Sequence, residues 1–440
     1  MEMLFGLIAV LIVTAGEAPY APERADMDAV LASIPAAHAP RYERFHRFYI
    51  RGVCGTRDLD RKRAFGINAV RGYTMTGDGA TNRLLDEAHA RGMMVVVSEW
   101  MPKHGENKGR DGATWTFDYT AQADTMVAGF TEKIEAIGDH PAILMWGLGN
   151  EVPLEEPYLR VVDRMSRAIH ERYPDHLTSL TMINAKPEHI ARIQRFAPDL
   201  DVIGVQSYSP GAVRGAIKNM ETHWRKPFYF SEFNGKGPWN FRKTEWGTAH
   251  DNLSAEKVED VRQCFEAIHA SPLCLGSTIF TWGHFGQNRP TYFSLHLGQH
   301  PDGPVAGQGA MMATPQAEVV AEVFRGAIPG SNRAPRLTSL TFKDGSREAR
   351  VAQGRRFGLF ATAIDPDGPA PKIEFWVLDA SVPRAQAVSG PYRADEHGSA
   401  RLPAPGRTGP YLVIAYATDG DGGVSASTMP MLVEPRTKRD

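Results

Sequence analysis

Two glutamates in this 440-residue chain each stand at the end of a short apolar segment that predicts a buried strand. Glu151 ends the segment that begins at Ile143, and Glu232 ends the segment that begins at Pro227. A carboxylate at the tip of a buried strand is costly to desolvate unless another group pairs with it or a reaction uses it. At matching ends of parallel strands the two carboxylates would face one cleft, and a carboxylate pair in a cleft is the arrangement that cleaves glycosidic bonds.

Apolar segments alternate with amphipathic helical patterns between about residues 48 and 283, and this alternation predicts the scaffold. Eight segments predict strands: Phe48–Val53, Ala69–Gly72, Met93–Glu99, Ala142–Gly147, Thr178–Ile183, Val202–Gln206, Phe228–Ser231 and Thr278–Thr281. Helices are predicted between them at Asp60–Phe65, Asn82–Arg91, Thr120–Ile137, Tyr158–Arg172, Pro187–Phe196, Val213–Thr222 and Ala255–Ala270. The fold class is therefore α/β, and eight repeats predict a (β/α)₈ TIM barrel. The rival is an open doubly wound sheet, but no GxGxxG follows the first strand.

The barrel expectation places both glutamates at one face. Catalytic groups of such barrels project from the C-terminal ends of the strands. Glu151 ends the fourth predicted strand and Glu232 the seventh, so the two side chains approach the barrel mouth from different sides. Arg71 ends the second strand, where its guanidinium can keep Glu232 ionised.

The sequence pattern changes near residue 326, where Pro, Gly, Ser and Asn predict a linker. We predict a catalytic barrel over residues 40–328, a linker over 329–336 and a small all-β immunoglobulin-like sandwich over 337–435. Asp-Pro-Asp-Gly at 365–368 and Asp-Gly-Asp-Gly at 419–422 have turn composition. Tight turns alone explain them, and a calcium site is the alternative.

Composition and the chain termini exclude some classes of partner. The formal net charge of −2 and the scattered Lys and Arg give no reason to expect nucleic acid. Three cysteines are too few for a disulfide framework. The sequence contains neither a CxxC nor an HExxH spacing, so nothing in it indicates a zinc site. Residues 1–18 contain an apolar stretch that predicts a signal peptide or a short N-terminal anchor. We therefore expect a secreted or periplasmic protein, or one that is anchored to a membrane through that stretch, and no stable membrane span. The oligomeric state stays open.

Several motifs in one order resemble the catalytic barrel of clan A glycoside hydrolases, family 2 most closely and family 5 next. The sequences around Glu151 (WGLGNE) and Glu232 (YFSEF) are similar to the acid/base and nucleophile segments of that clan. RGV at 51–53, FGINAVR at 65–71 and the helix leading into RGMMVV at 91–96 resemble its first three repeats. IDPDG at 364–368 and the segment 415–422 resemble immunoglobulin-like modules of bacterial polysaccharide-degrading enzymes.

The resemblance implies a retaining mechanism without a cofactor or metal, acting on a β-linked oligo- or polysaccharide. Glu151 would be the acid/base and Glu232 the nucleophile, with carboxyl groups about 5–5.5 Å apart. Asn150 would bond a sugar hydroxyl beside the reacting carbon, and Tyr208 would bond the nucleophile. Aromatic side chains stack on flat apolar faces, which sugars also present. The predicted substrate-binding residues are Asn150, Arg71, Tyr208, Gln206, Trp282, Trp100 and Trp239.

Two other functions fit the same residues. A carbohydrate-binding protein without turnover would retain the cleft, and a transglycosylase would pass the sugar to another sugar instead of water. Each predicted site residue also has a structural interpretation: Arg71 can simply neutralise a strand end, and Trp282 can belong to the barrel core.

Overall fold

Eight parallel strands close into a barrel in the computed structural model of the protein. The structure describes residues 31–436 apart from 32–33, 37, 47, 110–111, 284–290, 302–310 and 383–385. Its first twelve strands are β1 (Ile50–Cys54), β2 (Ala69–Arg71), β3 (Met94–Glu99), β4 (Gly105–Lys108), β5 (Thr114–Phe117), β6 (Ile143–Asn150), β7 (Thr178–Ile183), β8 (Val202–Tyr208), β9 (Phe228–Asn234), β10 (Cys274–Ile279), β11 (His296–Leu297) and β12 (Met312–Ala313). The barrel order is β1-β10-β9-β8-β7-β6-β3-β2, which closes on itself.

Helices cover the outside of the barrel. They are α1 (Ala39–Tyr42), α2 (Leu59–Ala64), α3 (Ala80–His89), α4 (Tyr119–Ile137), α5 (Glu156–Arg172), α6 (Pro187–Phe196), α7 (Pro210–Asn219), α8 (Ser254–Ala270) and α9 (Pro315–Arg325). A helix follows most barrel strands, which is the repeat that the sequence pattern predicts. The predicted (β/α)₈ barrel is therefore confirmed.

The strand tips are where the chain changes from apolar to polar. Strand β6 is buried from Ile143 to Gly149 and becomes partly accessible at Asn150. All of β9 is buried, including Glu232, and the strand runs three residues beyond its predicted end at Ser231. Many apolar side chains pack around the barrel strands below these positions, and Asn150 and Glu232 lie at the C-terminal ends of their strands.

The eighth barrel strand differs from its prediction. It begins earlier, at Cys274, and ends at Ile279 rather than at Thr281. The segment Cys274-Leu275-Gly276 was not included because its glycine and cysteine weaken the strand signal. As a result, Trp282 lies three residues beyond the strand instead of at its tip.

The loop between β3 and α4 contains a β-hairpin, which the sequence analysis does not predict. Strands β4 and β5 pair antiparallel, with Asn107 opposite Trp115. Asn107 is buried and accepts a hydrogen bond from the Lys103 amide at 2.8 Å, while its own amide group donates to the Lys103 carbonyl at 2.8 Å. These bonds close the base of the hairpin, so it extends the loop as an ordered element.

The remaining strands form a β-sandwich after the barrel, as predicted. They are β13 (Arg336–Phe342), β14 (Ala349–Ala352), β15 (Arg356–Ile364), β16 (Lys372–Asp379), β17 (Gln386–Arg393), β18 (Ser399–Pro403), β19 (Gly409–Thr418) and β20 (Val424–Glu434). One sheet has the order β13-β15-β18 and the other β14-β20-β19-β16-β17. Apolar side chains from both sheets share one core, which is the sandwich arrangement that an immunoglobulin-like module requires.

A buried ion pair ties the sandwich to the barrel. Lys257 on α8 donates to Asp251 at 3.0 Å and to the backbone carbonyls of Thr291 at 2.9 Å and Ala426 at 3.1 Å. Asp251 also accepts a hydrogen bond from the amide of Thr428 at 3.1 Å. Ala426 and Thr428 belong to β20, so the pair and its hydrogen bonds join the helix layer to the sandwich.

Three further findings concern the termini, metals and cysteines. The described part of the chain contains no helix long and apolar enough to span a membrane, and the predicted signal peptide or anchor at 1–18 lies outside it. Within the same residues no group of three or more His, Cys, Asp or Glu side chains could hold a metal ion. The three cysteines are buried free thiols, as expected.

The ion pair predicts a large effect on stability. Lys257→Met should lower the free energy of unfolding by about 3–5 kcal/mol, because it leaves Asp251 buried without its cation. The matched control is Arg164→Met, which removes an exposed ion pair with Asp124 and should cost less than about 1 kcal/mol. Urea unfolding measures both. A Lys257→Met loss no larger than the control's would contradict a stabilising role for the pair.

Candidate active site

Glu232 is buried at the barrel mouth and accepts three hydrogen bonds from two segments, the end of β2 with the loop that follows it and the end of β8. Its side chain is 6% exposed. Arg71 donates to Oε1 at 2.8 Å, the Tyr73 hydroxyl to Oε1 at 2.8 Å, and the Tyr208 hydroxyl to Oε2 at 2.6 Å. A carboxylate that accepts this many hydrogen bonds, one from a cation, is stabilised in its negative form.

Arg71 connects Glu232 to the tip of the fourth barrel strand. Its guanidinium is 1% exposed. Nη1 donates to Glu232, whereas Nη2 donates to Oδ1 of Asn150 at 2.7 Å and to the hydroxyl of Thr181 at 3.3 Å. One buried guanidinium therefore joins β9 to β6, and Glu151 is the residue that directly follows Asn150.

Asn150 is oriented by two donors. Besides the bond from Arg71, its Oδ1 accepts a hydrogen bond from Nε2 of Gln206 at 2.8 Å. Both acceptor positions of the side-chain carbonyl are then used, and the amide nitrogen of Asn150 remains as the hydrogen-bond donor of this side chain. Gln206 lies on β8 beside Glu232 in the strand register, which places the predicted Gln206 and Asn150 in one network.

Glu151 stands in an unusual backbone conformation at the end of β6. Its φ is 55°, which lies in the left-handed region that residues other than glycine rarely adopt. Such a conformation costs about 1–3 kcal/mol and persists only where neighbouring contacts enforce it. One such contact is the hydrogen bond from the Glu151 amide to the Thr181 carbonyl at 3.3 Å. Glu151 itself is exposed to solvent.

Gly149 explains why the segment before Glu151 is glycine-rich. Its φ is 90°, and a Cβ there would lie 2.5 Å from the hydroxyl of Tyr158. That hydroxyl donates to the Leu148 carbonyl at 2.7 Å, so helix α5 braces the strand tip from outside the barrel. Any side chain at 149 would displace the brace that positions Asn150 and Glu151.

The environment of Glu151 favours its protonated form. Partial burial, and then the negative charge of Glu232, raise the pKa of Glu151 to about 7, while Arg71 and Lys103 act in the opposite direction. Glu232 therefore lies close enough to Glu151 for its negative charge to act on the Glu151 carboxyl group. A neutral carboxylic acid beside a hydrogen-bonded carboxylate is a pair with divided roles, proton donor and nucleophile or base.

Trp239 lies on the side of this pair where Glu232 stands. Its ring is 59% exposed and contacts Tyr208 edge-on, with centroids 5.3 Å apart. Because Tyr208 bonds Glu232 directly, Trp239 is one side chain away from the carboxylate. Phe280 and Phe293 also contact Tyr208, at 6.2 Å and 4.9 Å between ring centroids.

Trp100 lies on the other side, directly after β3. It is 48% exposed and its ring centroid is 6.3 Å from that of Trp115 in the hairpin. Glu99, the last residue of β3, is paired with Lys133 at 2.5 Å, so this third carboxylate is engaged with α4. The predicted residue Trp100 is thus accessible at the barrel mouth.

Trp282 requires a correction. The structure places it in the protein interior, 2% exposed, where it donates to Asp58 at 2.9 Å and packs against Phe65 and His296 with ring centroids 5.3 Å and 4.2 Å away. The expected open platform for a sugar is therefore not at Trp282. The reason is the early end of β10, after which the chain turns and directs the indole into the core.

Sequence reasoning missed two members of the site. Tyr73, which bonds Glu232, lies in the loop after β2, outside the strands and helices that the sequence predicts. Lys103 lies in the loop before the hairpin, and only the folded path brings its charge near Glu151. The signal available for Tyr73 was its distance of two residues from Arg71, the spacing at which strand side chains share a face.

Comparisons with known proteins give distant likenesses. No family model matches the sequence, and no curated protein matches it. Among solved structures, a β-glucuronidase 2 from Bacteroides uniformis is 13% identical, with a TM-score of 0.48, and covers 88% of this chain and 46% of its own. A β-glucuronidase from Parabacteroides merdae is 12% identical (TM-score 0.43; 89% and 50% covered). An endo-β-1,4-mannanase from Thermotoga petrophila is 11% identical (TM-score 0.38; 88% and 98% covered).

The chain spans about half the length of the two glucuronidases. These likenesses are too distant to transfer an activity or the role of any residue, so function must follow from the arrangement at the barrel mouth.

The coupling of the two carboxyl groups predicts a shift that can be measured without a substrate. Glu151 should titrate near pH 7 in the wild type, and Glu232→Gln should lower its pKa because a neighbouring negative charge is removed. Carbon-13 NMR of glutamate-labelled protein measures the titration, with Glu151→Gln identifying the resonance. The matched control is Glu156→Gln, an exposed carboxyl paired with Arg160, which should leave it unchanged. A Glu151 pKa that is equal in wild type and Glu232→Gln would show that the carboxyl groups do not interact.

Proposed function

We propose that the protein is a retaining glycoside hydrolase that cleaves β-linked oligo- or polysaccharides by double displacement. The observation that supports this most directly is the Arg71 guanidinium, which bonds Glu232 and the residue preceding Glu151 at the same time. It joins a hydrogen-bonded carboxylate to the segment that carries a carboxyl group whose pKa is raised to about 7. These are the two protonation states that the first step of a retaining reaction needs.

In the first step, an oxygen of Glu232 attacks the anomeric carbon of the sugar. The bond from that carbon to the leaving oxygen breaks as Glu151 transfers its proton to the oxygen, and a glycosyl ester forms on Glu232. The hydrogen bonds from Arg71, Tyr73 and Tyr208 keep the attacking carboxylate in place and charged until the bond forms.

In the second step, the same residues act in reverse. The ester on Glu232 carries no charge, so the part of the rise in the pKa of Glu151 that came from the Glu232 charge disappears, and only the part that came from burial remains. Glu151 is then ionised and accepts a proton from water as the water attacks the anomeric carbon. The ester bond breaks, Glu232 recovers its charge, and the pKa of Glu151 rises again.

Asn150 contributes through its orientation. Arg71 and Gln206 hold its carbonyl oxygen, which leaves the amide nitrogen to donate to a hydroxyl of the sugar in the cleft. A hydrogen bond beside the anomeric carbon that strengthens as positive charge develops lowers the barrier rather than merely increasing affinity. Gln206 is thus a positioning residue for Asn150.

The two roles predict different products in a rescue experiment. Glu232→Ala and Glu151→Ala should each lower turnover of aryl β-glycosides by several orders of magnitude, because each removes a group required in a covalent step. With a dinitrophenyl glycoside and added azide, Glu232→Ala should yield the α-glycosyl azide, since azide occupies the position of the nucleophile. Glu151→Ala should yield the β-glycosyl azide, since azide attacks the intermediate. Proton NMR distinguishes the two.

The control variant is again Glu156→Gln, which alters an exposed carboxyl on α5 and should keep wild-type turnover. If Glu232→Ala gave the β-glycosyl azide and Glu151→Ala the α-glycosyl azide, the two roles would have to be exchanged. If either alanine variant kept wild-type turnover, that residue would have no part in the mechanism. Oligosaccharides longer than the substrate, formed by the wild type in a time course, would identify sugar rather than water as the acceptor.

A further inference from the structure

The exposed large apolar side chains of the barrel all lie on its catalytic face. Among the described residues they are Trp100, Trp115, Ile183 and Trp239, and each lies at the C-terminal end of a barrel strand or in the loop that follows one. The other exposed large apolar side chains belong to the sandwich. Four further tryptophans are buried, and Trp246 lies under the guanidinium of Arg350. Surface apolar groups concentrated around one cleft indicate a binding surface rather than random exposure.

Trp100 and Trp115 form an aromatic platform, and the hairpin holds it in place. Trp115 is 38% exposed and stands opposite Asn107, whose hydrogen bonds close the base of the hairpin. Strand β5 is accessible along most of its length, and the indole of Trp115 keeps an accessible surface. The residue before Trp100, Glu99, forms an ion pair with Lys133 on α4, which anchors the chain at the start of this loop.

The platform lies beside the proposed acid/base. In the register of β3 and β6, Glu99 pairs with Leu148, which places Trp100 level with Gly149 and two residues before Glu151. With strands about 4.8 Å apart and about 3.3 Å per residue, the Cα atoms of Trp100 and Glu151 are within roughly 10 Å. Lys103, between Trp100 and the hairpin, acts electrostatically on Glu151, which independently places this loop at the cleft.

Trp239 lies across the mouth from the platform. It follows β9, and β9 and β3 are four steps apart in the closed order of eight strands, so they stand on opposite sides of the barrel. Trp239 reaches the nucleophile through Tyr208. A line from Trp239 to Trp100 therefore crosses the barrel mouth from β9, the strand that carries Glu232, to β3, the neighbour of the strand that leads to Glu151.

We infer that this line is the path of a linear β-glycan chain and that Trp100 and Trp115 bind sugar units beyond the cleaved bond, on the side of Glu151. The inference rests on the proposed function and adds a substrate class to it: a chain of several β-linked units, cut in its interior. Flat indole faces match the C–H faces of pyranose rings, whereas a single-sugar glycoside needs no aromatic platform so far from the nucleophile.

The test measures binding separately from turnover. In the non-cleaving Glu232→Gln background, Trp100→Ala/Trp115→Ala should weaken the binding of a β-linked hexasaccharide roughly tenfold or more, the effect of losing two stacking contacts. The probes are the β-linked hexasaccharides of glucose, mannose, xylose and galactose, measured by calorimetry. The same two substitutions are then made in the enzyme that retains Glu232. There they should lower kcat/KM for the hexasaccharide that binds most tightly by a similar factor, compared with kcat/KM for the aryl glycoside of the same sugar. Wild-type enzyme should release oligosaccharides before monosaccharides.

The control variant is Phe360→Ala, which removes an exposed aromatic side chain from the sandwich and should change neither quantity. Equal hexasaccharide affinity with and without the two indoles, or no binding of any hexasaccharide, overturns the inference. Loss of self-association rather than of glycan binding in the double variant, seen by sedimentation, assigns the platform to a protein partner and also overturns it. Indole-dependent binding without any release of reducing ends by the wild type would instead refute the proposed hydrolase and leave the platform standing.

Discussion

The buried ion pair between Arg71 and Glu232 is the interaction on which the site depends. Each charge is nearly inaccessible to water, and each alone would be costly at that depth. Together, with hydroxyls from Tyr73 and Tyr208 completing the carboxylate's partners, they are tolerated. The second nitrogen of the guanidinium then holds Asn150, so the group that balances the charge of Glu232 also sets the position of the chain leading to Glu151.

The barrel supports this arrangement through helices that brace the strand tips from outside. Tyr158 on α5 holds the end of β6, and Lys133 on α4 pairs with the end of β3. Glu151 can therefore remain in a left-handed conformation that an unsupported loop would release. The proposed division of roles follows from their surroundings, because Glu232 has three hydrogen-bond donors, whereas Glu151 is partly desolvated and has a negative neighbour.

Much of this was accessible from the sequence because strands buried on both faces read as continuous apolar segments, and their ends mark polar positions such as Glu151 and Glu232. The positions of residues that depend on the path of a loop could not be predicted from the sequence. Trp282 was placed at a strand tip because the segment Gly276–Ile279 could not fix where β10 ends. The hairpin was missed although Thr114–Phe117 alternates, because a four-residue strand in a polar loop gives a weak signal.

The most direct measurement of the central claim is to trap the covalent intermediate and map it. The protein is incubated with a panel of dinitrophenyl 2-deoxy-2-fluoro-β-glycosides, which slow hydrolysis of a glycosyl ester, and its peptides are analysed by mass spectrometry. We expect one equivalent of sugar on Glu232, in the peptide that contains Tyr229 to Phe233. Sugar attached to Glu151, or to a carboxylate outside the cleft, would contradict the assignment of Glu232 as the nucleophile held by Arg71.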